Sequence, residues 1–239
     1  MNYQDFNNTI NAHEHDLEMA QAFPVLMRKV YTWMTLALVI TGVTAYGVAN
    51  SPALLQAIYS NPIVFWGLAI AELGIVFYTS ARIQKLALST ATILFVLFSV
   101  INGITMAYIF LAYTMSSIAK VFFITAGTFA AMAFIGHTTK KDLSKMGSIM
   151  MMALIGLIIA GIVNIFLKSS MMDFVISIIG VLLFVGLTAW DAQKIKEMLM
   201  DAPDAGEAAQ KIALIGALSL YLDFINLFIH LLRLLGNRR

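Results

Sequence analysis

Seven apolar stretches, each long enough to cross a bilayer, dictate what this chain can become. They run over about residues 30–49, 62–80, 87–111, 118–136, 148–167, 173–190 and 212–235. About 20 apolar residues in a helix cover the ~30 Å hydrocarbon core, and in lipid every backbone N–H and C=O must pair within its own segment. Each stretch therefore predicts a transmembrane helix. The chain is 60% hydrophobic and 12% charged, against roughly 45–50% and 25% in a soluble domain. The expected architecture is an all-α integral membrane protein, with a flexible or surface-lying polar tail (1–27) preceding one seven-helix domain (28–239).

The connections are short, as in a bundle of antiparallel neighbours. Asn50-Ser51-Pro52 and Asn61-Pro62 mark breaks, because the residue before proline is pushed out of the α region. With the N-terminus inside, the inner loops collect Arg28, Lys29, Arg82, Lys85, Lys140, Lys141, Lys145, Lys194, Lys196 and Lys211. The outer loops hold only Lys120 and Lys168. That asymmetry predicts a cytoplasmic N-terminus. Seven crossings then leave Arg233, Arg238 and Arg239 outside, against the same rule, but a stretch of that length is a full span and a crossing is expected.

Other classes are disfavoured by composition. A net charge of +2, spread over separate small clusters, does not suit nucleic acid. No cysteine is present, so disulfides and thiolate metal sites are excluded. His13-Glu14-His15 places two imidazoles at i and i+2, which do not share a helix face, so no metal site is expected there. Gly42, Gly47, Gly67, Gly74, Gly103, Gly127, Gly156, Gly161, Gly180, Gly186 and Gly216 are expected to let helices approach closely.

The residues that point to function are the ionisable groups inside the spans. Asp223 lies near the middle of 212–235, where a charge costs on the order of 2.5–3.5 kcal/mol on insertion scales. The sixth helix is expected to run on past Asp191 through Ala192–Met200, with Pro203 and Gly206 in the following turn. Asp191 precedes Gly206 by 15 residues and Asp223 follows it by 17. At ~1.5 Å per residue, antiparallel helices carry both carboxylates to similar depth. Facing each other in a dry site, they cannot both ionise cheaply and share a proton. Such a pair is a pH sensor or, ionised, a transient oxygen-rich site for a hard cation such as Ca²⁺. Arg82 falls at the inner end of the second span, broadly level with Asp191, and Glu72 lies ~15 Å deeper. Asn226 and His230, three and seven residues beyond Asp223, are the polar neighbours expected to support it.

These residues fall in two distinctive motifs, FVGLTAWDAQKIK (Phe184–Lys196) and ALSLYLDFINLFIHLLRLLGNRR (Ala217–Arg239), supported by GHTTKKDLSKMG (Gly136–Gly147). From about residue 24 onward the chain resembles a bacterial member of the Bax inhibitor-1 family. The resemblance implies two three-helix layers around a central C-terminal helix, in the bacterial inner membrane. It also implies a pH-sensitive calcium leak in which Asp191 and Asp223 form a di-aspartyl sensor. Arg82, in TSARIQKL, matches a basic latch, and Glu72 an acid further along the pore. Trp190 stands where the family pattern has Tyr.

On this reading Arg82 pairs with ionised Asp191 in a closed state, and mild acid releases it. Stronger acid removes the charge that attracts Ca²⁺, so flux passes through a maximum. Calcium ions, protons and membrane lipids are the expected partners, with no cofactor. Two alternatives use the same residues differently: a proton-coupled cation exchanger, and a regulatory membrane scaffold without transport. An intramembrane aspartyl protease is disfavoured, because Leu220-Tyr221-Leu222-Asp223 lacks the Gly-x-Gly-Asp pattern of such enzymes and no proline follows Pro203.

Overall fold

In the computed structural model residues 3–239 are described, with side chains from Leu17 onward. His13-Glu14-His15 thus lies outside the described side chains. The helices are α1 (Tyr3–Ala49), α2 (Pro52–Tyr59), α3 (Pro62–Arg82), α4 (Leu88–Met106), α5 (Tyr108–Ala112), α6 (Met115–Thr138), α7 (Ser144–Leu167), α8 (Ser170–Met200) and α9 (Glu207–Leu235). Among the described residues, seven helical stretches are long and apolar enough to cross a membrane: Leu17–Ala49, α3, Leu88–Ala112, α6, α7, α8 and α9. The chain is an all-helical, multi-pass integral membrane protein.

Local chemistry explains most boundaries. Ser51 and Asn61 cap α2 and α3, accepting from Leu54 N and Ile63 N, and each is followed by proline at the first helical position. Asp142 Oδ1 accepts from Ser144 N (2.8 Å) at the start of α7. The Ser144 bonds hold that carboxyl below its usual range. Lys168 ends α7 in the left-handed region, at φ 51°. The expected tail is different: residues 3–27 continue α1 as helix, with Pro24 inside it. Within the part whose side chains are described, Met19, Leu26 and Met27 are buried, so residues 19–27 pack on the body of the bundle.

α1 and α3 both pack on α4, and α6 and α7 both pack on α8. Between these groups stands α9, packed against α8, α1, α6 and α4. In its most apolar stretch 67% of the residues are buried, against 6% in α3 and in α7. Its end is pinned where the α5–α6 connection lies: Thr114 N donates to Asn237 O (3.2 Å), Arg239 N to Ala112 O (3.0 Å) and Asn237 N to Ser117 Oγ (2.9 Å). Arg233 also reaches Asp173, at the start of α8 (4.0 Å). The tail thus sits at the opposite end of the bundle from the 201–206 turn, and α9 is a full span.

The glycine expectation holds only in part. At Gly136 an added Cβ would run into the Ala189 carbonyl, so the contact of α6 with α8 requires glycine. At Gly103 it would meet Thr41 O at 2.6 Å, where α4 crosses α1. Gly42, Gly47, Gly67, Gly74, Gly127, Gly156 and Gly161 instead have nothing within 4 Å of that position. Those glycines face outward, so close helix approach does not account for them.

Candidate functional site

The α8–α9 pair brings the two aspartates together. Asp223 is buried, 5% exposed, and its Oδ2 has no hydrogen-bond partner. Gly216 and His230, seven residues either side of Asp223 on the same helix face, both meet α8, so Asp223 faces the helix that carries half-buried Asp191. A carboxylate oxygen in a low-dielectric interior with no protein donor is relieved by a proton, a cation or a water. Gly216, in the half of α9 that precedes Asp223, allows close approach, since a Cβ there would sit 3.0 Å from the Ile195 side chain of α8.

The other expected members of the site stand elsewhere. Arg82 is exposed, with its guanidinium 5.8 Å from the centroid of the Tyr78 ring, and among the described residues it makes no ion pair with Asp191. The reason is lateral. α3 packs on α4 and α2, so matching depth does not bring Arg82 to α8. Lys194 likewise lies 4.8 Å over the Trp190 ring, and that indole fills the space left by Gly147 on α7. Asn226 turns back to its own helix, donating to Leu222 O (2.8 Å), and is not a support for Asp223. His230 is 7% exposed, stacked on Phe184 (centroids 5.7 Å) and seated against Gly180. Its Nδ1 has no partner, so it packs α9 on α8 and makes no hydrogen-bonded relay to Asp223 through that atom.

Glu72 belongs to a second polar cluster. Thr105 Oγ1 donates to its Oε1 (2.7 Å) and Asn102 Nδ2 reaches its Oε2 (3.4 Å), both from α4. The single proton of the Tyr221 hydroxyl of α9 is shared between Asn102 Oδ1 (3.0 Å) and Thr41 Oγ1 of α1 (2.7 Å). Thr41 in turn donates to Ser99 O (2.9 Å). Three spans thus meet at Tyr221, a fully buried side chain two residues before Asp223, and Asn102 links them to Glu72 of α3. Sequence reasoning missed Tyr221, Asn102, Thr105 and Thr41. Their only signal was that Asn102 and Thr105 are polar at i, i+3 in an apolar span.

At the basic end, α8 grips the α6–α7 connection. Gln193 Oε1 accepts from Leu143 N (2.8 Å), its Nε2 donates to Lys141 O (2.9 Å), and Lys196 Nζ donates to His137 O (3.0 Å). The residues just after Asp191 therefore hold the segment Gly136–Gly147. This explains physically why those two motifs occur together.

A buried aspartate on a central last helix, packed against the span that carries a second, half-buried aspartate, defines a class of multi-pass membrane protein. The family model described as "Inhibitor of apoptosis-promoting Bax1" matches residues 24–239, and the chain belongs to that family, the Bax inhibitor-1 family. It is 47% identical over 215 residues to the inner membrane protein YbhL of Escherichia coli K12, covering 89% of this chain and 92% of that one. It is 42% identical over 237 residues to a Rickettsia prowazekii protein, covering 98% and 99%. To a Borreliella burgdorferi protein it is 44% identical over 213 residues, covering 89% and 92%.

Proposed function

We propose that this protein is a pH-sensitive calcium leak of the bacterial inner membrane, with its N-terminus cytoplasmic and the Asp191–Asp223 pair as proton sensor. The observation that carries this reading is the bare, buried Oδ2 of Asp223, on the face of α9 that packs against α8, the helix of Asp191. Two negative charges in such a site repel strongly, so the pair exchanges between a shared proton and a bound cation. Calcium and protons are its ligands, and the pair has no catalytic role and needs no cofactor. Arg82 stands clear of Asp191 in this conformation, so the latch is made in a second one, with α3 displaced toward α8. The inner-membrane assignment follows the name of the E. coli relative.

Calcium flux into liposomes carrying the purified protein, measured against pH, tests the reading. Wild type is expected to pass through a maximum in mild acid, and Asp223→Asn to respond monotonically. Monotonic flux in both would sink the proposal. A second reading, proton-coupled exchange, draws support from Glu72, a second intramembrane acid joined through Asn102 to α9. Calcium moved uphill by an imposed pH gradient would favour exchange, and strictly downhill flux a leak. A regulatory scaffold would show no flux at all.

A further inference from the structure

α1 and α6 both rest on α9, and a long apolar groove runs between them. On α1 its wall recurs at helical spacing through Tyr31, Leu38, Gly42 and Ala45. Ala126, Ala130 and Phe134 form the facing wall on α6. The floor is Phe224 of α9, next to Asp223, with Phe228 further along. Leu38, Phe122 and Phe224 border both halves of the groove and so mark its waist.

The two halves differ in a way that selects an occupant. The half toward Arg28 has a volume of about 640 Å³, the other about 280 Å³. From Arg28 to the waist at Leu38 is ten residues of helix, or ~15 Å, the depth of one leaflet of a ~30 Å core. The lining is almost wholly apolar until its mouth, where Arg28 and His137 stand. Arg28 is exposed and has no carboxylate partner among the described residues. Lys140, just past the end of α6, is exposed as well. The acid of that connection, Asp142, is engaged by Ser144 N. A leaflet-deep apolar slot under a cation with no acidic partner among the described residues matches one acyl chain beneath one anionic headgroup.

We propose that the Arg28 half of this groove is a binding site for an anionic glycerophospholipid, with an acyl chain against Phe224 and the phosphate at Arg28. The bound chain buttresses the helix that carries Asp223, which makes the occupant a structural element of the bundle. The inference is independent of any transport activity.

Native mass spectrometry of the purified chain, equilibrated in detergent with equal phosphatidylglycerol and phosphatidylcholine, tests it. Wild type is expected to retain one lipid per chain, with an about fivefold preference for phosphatidylglycerol, the size expected of one interfacial arginine. Arg28→Gln should abolish the preference while still retaining lipid. Ala130→Phe, which fills the groove from an exposed position, should lose lipid of either kind while melting like wild type. Equal retention of the two lipids by wild type overturns the proposal. So do an undiminished preference in Arg28→Gln, undiminished retention in Ala130→Phe, and a mass showing a second copy of the chain in place of lipid. Should Ala130→Phe fail to fold, the Arg28→Gln comparison decides alone.

Discussion

Removing one oxygen atom, in Tyr221→Phe, tests whether the second polar cluster holds the bundle together. The ring keeps its edge-on packing against Phe95 and Phe98, with centroids 6.2 and 5.6 Å away, so the apolar contribution is unchanged. What is lost is the hydroxyl between Thr41 Oγ1 and Asn102 Oδ1. Thr41 stays satisfied, because its proton already has Ser99 O as an acceptor. Asn102 Oδ1 is left without its donor, and the amide that reaches Glu72 is no longer held from behind. A fully buried orphaned acceptor costs about 1–3 kcal/mol in soluble proteins, an upper bound for part-buried Asn102, whereas polar contacts between membrane helices average about 0.6 kcal/mol. A loss of ~2 kcal/mol corresponds to a fall in Tm of roughly 4–8 °C for a chain of this size. Thermal unfolding of the detergent-purified protein reads it directly. Thr41→Val in the Tyr221→Phe background should then cost less than in wild type, with a coupling of about 0.5–1 kcal/mol. A Tyr221→Phe protein melting within ~1 °C of wild type would show that the cluster contributes nothing.

Three further outcomes are expected. Gly136→Ala should melt lower by the ~1–3 kcal/mol of an overpacked contact, because its Cβ meets the Ala189 carbonyl, while outward-facing Gly127→Ala stays within ~0.5 kcal/mol of wild type. Gln193→Leu frees Leu143 N and Lys141 O together, so amide exchange over residues 139–144 should accelerate by the factor that ~1–2 kcal/mol represents, with the rest of the chain unchanged. Arg82→Gln removes only an exposed contact with Tyr78 in this conformation, so Tm should move by less than ~1 kcal/mol equivalent. Its effect on the pH profile of calcium flux isolates the latch: a shifted maximum requires a conformation in which Arg82 meets Asp191, and an unshifted one removes Arg82 from the mechanism.

Depth along the bilayer was legible in the sequence, and rotation about the helix axes was not. Apolar length placed all seven spans, and counting residues from the turn placed Asp191 and Asp223 level with each other. The same counting placed Arg82 level with Asp191 but left open whether it reaches that carboxylate or turns outward, because depth says nothing of which neighbour a helix leans on. Asn226 failed for a related reason: i, i+3 spacing permits a contact, but the amide found its own helix's carbonyl first. Tyr221 escaped notice because an uncharged hydroxyl in a span costs little enough to look like packing. Yet at ~100° per residue Tyr221 and Asp223 project ~200° apart, so Tyr221 looks toward α1 and α4 while Asp223 looks toward α8. One turn of α9 therefore serves both halves of the bundle. Under the proposed function, a proton or cation that moved α9 against α8 would also strain the Tyr221 bonds to Thr41 and Asn102, and through Asn102 the hold on Glu72. Rigid-body motion of α9 would then couple the two acidic sites without a chain of hydrogen bonds between them.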